Sequence, residues 1–206
     1  MTTTKRYVVS INHDPDTENP ADDCCTWKPY SFSNRHINFK HPNEFFEDGK
    51  AQDWLAEKLK VGLAFLLSYY EHSLGMWYIA GSKYVPDAQW DNVDCAGVLV
   101  WEHKEDEIGG KTVEERKADA AAFLECYTDW CNGNCHCYAI EEEESEDDED
   151  GEGTWTRTKH IDSCGGFIGD YIVEAIREAL PKDATEENTT IEGDTGIQLY
   201  ELFKKD

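Results

Sequence analysis

The chain has 206 residues, 44 of them Asp or Glu against 19 Lys or Arg, for a net charge of −25 and a pI near 4.5. Aromatic residues make up 12% and hydrophobic residues 39%, which is enough to bury a core and unlike the composition of a disordered acidic tail. The charge excludes direct binding to nucleic acid or to an anionic membrane surface, and it favours basic or nucleic-acid-binding proteins as partners.

In chain order, the opening MTTTKRYVVSINHD lacks an apolar stretch of signal-peptide length. Arg6 to Ile11 predicts a strand. Residues 12–48 predict an irregular arm rich in aromatic residues, in which Pro15, Pro20, Pro29 and Pro42 limit any helix. Ala51 to Lys60 predicts a short helix with Trp54, Leu55 and Leu59 on one side. The longest apolar run, Val61 to Leu67, is too short to span a bilayer. It opens a stretch that reads as two buried strands around the turn EHSLG, Glu71 to Gly75. A single helix from Asp53 to Tyr70 is the competing reading, since Leu59, Leu63, Leu66 and Tyr70 also fit helical spacing. PDAQWDNVD predicts a loop and AGVLVWEHK a strand.

The clearest helix follows. Thr112 and Glu115 form a capping box, Ala120, Leu124 and Tyr127 form an apolar stripe, and Asn132-Gly133 ends it. NCHCYAIEEE and GTWTRTKHI predict the strands of a hairpin joined by a mobile acidic loop over residues 141–153. GDYIVEAIREALP predicts a helix closed by Pro181, and TGIQLYELFKK a terminal element of either type. Together these predict one α+β domain over residues 1–206, with a mixed, mostly antiparallel sheet and helices packed on one side.

Three clusters invite a chemical reading. Cys126, Cys131, Cys135, His136 and Cys137 resemble metal ligands, but the spacing contains no C-x-x-C pair. A strand through Cys135 to Cys137 turns His136 to the opposite face from the two thiols. Buried, reduced cysteine is the expectation, with no metal and no cofactor. Cys164 in DSCGGF, with His72 or His160 as base and Gly165-Gly166 as N–H donors, has the elements of a thiol enzyme. Tight-turn chemistry accounts for the same residues. Glu141, Glu142, Glu143, Glu144, Glu146, Asp147, Asp148, Glu149 and Asp150 form a carboxylate run without the ligand register of an EF-hand loop.

Several segments together resemble an uncharacterised family of bacteriophage and prophage accessory proteins. The resemblance rests on Asp14 to Pro20, on Tyr69 to Gly75 with His72, Ser73 and Gly75, and on Trp90-Asp91 with Gly97-Val98. It continues through Tyr127 to Tyr138 and closes on Asp162 to Asp170, with Ser163, Cys164, Gly166 and Gly169. Leu74, between Ser73 and Gly75, departs from the family pattern, as does the acidic hairpin; the family carries non-ligand residues at the positions of Cys135 and Cys137. The resemblance implies a protein acting in the host cytoplasm, with no agreed activity.

The expected function is a non-enzymatic, phage-encoded inhibitor that binds a basic or nucleic-acid-binding host or defence protein as a DNA mimic, of an anti-restriction or anti-CRISPR type. Its surface would comprise Glu114, Glu115, Asp119, Glu125 and Asp129 on the long helix together with the acidic hairpin. A cysteine- or metal-dependent enzyme centred on Cys164 and His72 is the first alternative, and a phage structural or assembly protein the second.

Overall fold

The computed structural model describes residues 4–46, 49–83, 91–146, 154–193 and 196–204. The fold is α+β. Among the described residues, eight strands form two four-stranded sheets, and all but one of the strand pairings are antiparallel. The chain divides into two compact units, residues 1–17 with 133–206 and residues 18–132.

The first unit is built on β1 (Thr4–His13), β6 (Cys135–Glu146), β7 (Thr154–Ile168) and β8 (Thr189–Glu192). Their order is β7-β6-β1-β8, with β8 parallel to β1. Tyr7, Val8, Val9 and Ile11 are fully buried, as expected of an interior strand. Val9 and Ile11 join Tyr138 and Ile140 against α4 (Tyr171–Ala179) and α5 (Leu199–Phe203). Ile172 and Ile176, four residues apart, put one face of α4 into that core, and Leu202 anchors α5. The hairpin predicted from the two flanking segments is present. Its strand β6 runs on to Glu146, however, so residues 141–146 are strand where a loop was expected, and residues 147–153 lie outside the described residues.

The second unit has β2 (Lys28–Ser31), β3 (Ala64–His72), β4 (Leu74–Ile79) and β5 (Asn92–Val100) in the order β2-β5-β3-β4. The helix-then-strands reading of residues 51–81 holds: α2 spans Gly49–Val61, and β3 and β4 pair across Ser73. Alternation along the strands sends apolar groups to both faces. Phe65, Leu67, Tyr69, Trp77 and Leu99 pack with Ala120, Leu124 and Tyr127 of α3 (Val113–Cys131). Ala64, Val98 and Val100 pack with Phe45 of α1 (Asn43–Phe46) and Leu55 of α2. The sheet of this unit is therefore covered on both faces, with α3 on one and α1 and α2 on the other. The arm expected over residues 12–48 is tied down: Trp27 is 2% exposed beside Phe65 and Trp101, and β2 pairs with β5. Pro29 sits in β2 because β2 is an edge strand, where a missing N–H costs no ladder bond.

Candidate functional site

The acidic strand comes first. β6 lies between β1 and β7, so Glu141, Glu142 and Glu143 meet basic residues of both neighbours. Glu142 pairs with Lys5 Nζ at 2.7 Å, and Glu141 with Arg157 Nη1 at 2.7 Å. Glu143 is only 6% exposed; its Oε2 accepts from Arg6 Nε and Nη2, both at 2.7 Å, and its Oε1 lies 3.4 Å from Arg157 Nε. The Glu142 carboxylate holds the Lys5 ammonium above its ordinary range. Cross-strand charge pairing thus consumes Glu141, Glu142 and Glu143, whereas Glu144 is exposed. Glu146 is the last residue of β6, and Asp147, Asp148, Glu149 and Asp150 lie outside the described residues.

The α3 carboxylates have individual duties. Thr112 Oγ1 accepts the Glu115 N–H, and Glu115 Oε2 accepts the N–H groups of Thr112 and Lys111 at 2.9 Å each. Those backbone donors, Thr112 first, hold the Glu115 carboxyl below its ordinary range. Asp119 Oδ2 accepts the Trp27 indole N–H at 2.8 Å, and Glu125 lies 3.6 Å from Lys83 Nζ. Glu114 is exposed and Asp129 half-buried. Accepting a hydrogen bond leaves a carboxylate charged, so α3 still presents anionic groups.

The motif residues resolve into two separate constellations. In the second unit, His72 Nδ1 is 3.0 Å from Asp91 Oδ2, and Ser73 forms the β3–β4 tip at φ +68°. Asn132 clasps Gly75 from both sides of its peptide, Oδ1 accepting the Gly75 N–H at 2.9 Å and Nδ2 donating to the Gly75 carbonyl at 2.8 Å. Asn132 thereby does more than end the helix. Trp90 lies outside the described residues. In the first unit, Tyr138 donates to Asp162 Oδ2 at 2.6 Å, and Ser163 Oγ is 3.4 Å from His160 Nε2. The Gly166 N–H, at φ +82°, is given to Asp14 Oδ2 at 2.7 Å. A Cβ on Gly165 would lie 2.6 Å from that same oxygen. The early DPDT segment and the late CGGF segment are therefore one structural device, and Asp14 already takes an N–H that an oxyanion hole at Cys164 would use. Gly169, at φ +62°, donates to the Asn134 carbonyl at 2.9 Å. Along β6, Cys135 and His136 are buried and Cys137 half-buried; His136 Nε2 is 2.8 Å from Asn134 Oδ1, and the Cys137 thiol points to the Asn12 carbonyl.

One feature of the second unit escapes sequence reasoning, a cavity of about 220 Å³ lined by His36, Tyr69, Trp77, Tyr127, Trp130 and Asn132 among others. The His36 ring sits edge-on to Tyr69 and Trp77, with centroids 4.7 and 5.1 Å away, and its Nδ1 is 2.6 Å from Ser31 Oγ. Burial, reinforced by Arg35, holds its imidazole below the ordinary histidine range. Arg35 in turn pairs with Glu71 at 2.5 Å. The only sequence signal is parity: Tyr69 and Trp77 are cross-strand partners, and Tyr127 and Trp130 are three apart on a helix.

No family model, curated protein or solved structure matches the chain. Among the described residues, no helix is long and apolar enough to cross a membrane.

Proposed function

We propose that this chain is a non-enzymatic acidic protein that binds a basic, nucleic-acid-binding surface of another protein. One observation carries the reading. Glu143 is the sole buried carboxylate among the described residues, so the excess of acid over base faces solvent. Both units share that excess: residues 18–132 hold 21 Asp and Glu against 11 Lys and Arg, and the remainder of the chain holds 23 against 8. Rigid elements carrying unneutralised carboxylates present to a basic groove what a phosphate backbone presents. On this reading the place of action is the host cytoplasm, as the resemblance to phage accessory proteins implies, and the acidic surface suits the DNA-binding groove of a restriction or RNA-guided nuclease, which it would inhibit.

Within the acidic strand, Glu144 and the segment beyond Glu146 are favoured over Glu141 to Glu143 as contact groups, because Lys5, Arg6 and Arg157 already neutralise the latter. On α3, Glu114 and Glu125 are the favoured contacts: Glu115 and Asp119 are engaged by their own fold, and the 3.6 Å contact of Glu125 with Lys83 is long and joins two exposed side chains. The thiol-enzyme alternative has less support, since the Gly166 N–H beside Cys164 is already donated to Asp14.

The test is capture of host proteins on the immobilised chain, followed by elution with duplex DNA and, separately, with salt. The expected partner is released by both. A partner that resists both, or binds through Trp54 or Leu74, which are exposed apolar groups, would overturn the reading.

A further inference from the structure

Among the described residues, one group of three potential metal ligands converges: Cys25, His103 and Glu107, whose ligand atoms all lie within 4.8 Å of one another. They come from two segments of the second unit. Cys25 belongs to the loop over residues 22–25, and His103 and Glu107 to the segment after β5 that ends in the short 3-10 helix Glu105–Glu107.

Both segments are held before any ion arrives. Lys28 Nζ donates to the Ala21 and Asp23 carbonyls, and Cys25 itself is held at φ +59°, a left-handed conformation uncommon outside glycine. Trp101 donates its indole N–H to the Lys104 carbonyl at 2.8 Å, Glu107 Oε2 accepts the Lys104 N–H at 3.1 Å, and Glu107 Oε1 lies 3.9 Å from Lys104 Nζ. The His103 ring packs edge-on against Trp101 with centroids 5.4 Å apart, which fixes its plane.

The second observation is independent of this convergence. His103 Nε2 is buried and has no hydrogen-bond partner among the described residues. A buried polar atom left unpaired forfeits its hydration without return, so native structures seldom tolerate one without a reason. A neutral imidazole nitrogen takes a metal ion as readily as a proton donor.

We propose that Cys25, His103 and Glu107 form a binding site for a zinc-class divalent cation. The donor set chooses the ion. A thiolate and an imidazole suit zinc, whereas calcium and magnesium require oxygen throughout. Zinc–ligand bonds of about 2.0–2.3 Å put tetrahedral donors roughly 3.3–3.8 Å apart, so the loop closes slightly on the ion. Binding releases the Cys25 proton to solvent and forms the Zn–S bond. Three protein donors leave a fourth position to water, on a surface where Cys25 and Glu107 are both exposed. The ion would staple the Cys25 loop over the Trp27–Trp101 contact, whose ring centroids are 5.5 Å apart.

The experiment uses the full chain under a non-thiol reductant, loaded with Zn²⁺ and dialysed. Elemental analysis is expected to find one zinc per chain, and His103→Gln or Cys25→Ser to lose it while Cys164→Ser keeps it. Alkylation mapped by mass spectrometry covers the case in which a variant fails to fold. In the wild-type chain, Zn²⁺ should slow modification of Cys25 at least about tenfold, because only a free thiolate reacts, and should leave Cys164 unprotected. Sub-stoichiometric zinc, unchanged alkylation of Cys25, or full zinc content in His103→Gln overturns the proposal.

Discussion

Glu143 shows what one residue contributes in this molecule. Its carboxylate is buried on an interior strand and satisfied by Arg6 from one side and Arg157 from the other. Glu143→Gln takes the anion from Arg6, while Arg157 keeps Glu141 at 2.7 Å and Glu192 at 2.9 Å. Arg6 and Arg157 are 31% and 49% exposed, so water recovers part of the loss, and the expected cost is about 1–3 kcal/mol in urea unfolding. Glu144→Gln, one position along and exposed, should change stability by less than about 0.5 kcal/mol. His36 gives a second residue-scale outcome. Burial and Arg35 lower its pKa in the folded chain, so the unfolded chain binds that proton more readily. Stability from neutral His36 is therefore complete above about pH 6.5 and declines as pH falls through and below that value. Denaturant titrations at about pH 7.5 and about pH 5.5 should show this loss in the wild type and a smaller one in His36→Phe.

At the scale of elements, the end of β7, where a tight turn was expected, is strand and depends on its glycines rather than on its thiol. Cys164 is exposed, and its sulfur makes a long 3.7 Å contact with the carbonyl of the next residue, so Cys164→Ala should shift the unfolding midpoint negligibly. Gly165→Val places a branched side chain against Asp14 Oδ2 and should cost more than about 1 kcal/mol. Gly166→Val adds a left-handed conformation at φ +82°, a penalty of about 1–2 kcal/mol. Circular dichroism melts of the three variants rank them, and a Cys164→Ala chain that folds but binds no partner would return the thiol to functional standing. The elements themselves were legible where periodicity ran long enough: β1, the long helix α3 with its Thr112–Glu115 cap, and the hairpin strands around the glutamates. β2 and β8 were not, because four residues, one of them Pro29, carry too little period to register as a strand.

For the whole molecule, the net charge of −25 acts on stability and on binding in opposite directions. Self-repulsion within each acidic unit is relieved as the screening length falls from about 10 Å at 0.1 M salt to about 3 Å at 1 M. The melting temperature should therefore rise with sodium chloride over that range. Affinity for a basic partner should fall over the same range, chiefly through a slower association rate. Glu114→Gln with Glu125→Gln should weaken the complex more than Glu141→Gln with Glu142→Gln, since Arg157 and Lys5 hold the second pair at 2.7 Å, whereas Glu125 lies 3.6 Å from Lys83. Surface plasmon resonance at two salt concentrations measures both effects. A complex indifferent to salt would mean that the acid serves solubility alone.

The α+β class, the order of the main elements and the acidic surface were all determined by the sequence by itself, because they depend on local periodicity, capping chemistry and summed charge. Tertiary structure alone decided which acids are available. Lys5 and Arg157 stand more than a hundred residues apart in sequence, and only the register of β1 and β7 against β6 brings them to Glu142 and Glu141. The same holds for the ligands. The sequence drew attention to the cysteines crowded between positions 126 and 137, where strand alternation separates Cys135 and Cys137 from His136. Convergence instead occurs between Cys25 and His103, which lie far apart in the chain. Spacing in sequence records only contacts made within a turn or a hairpin; a site assembled across a loop and a distant turn leaves no period to read.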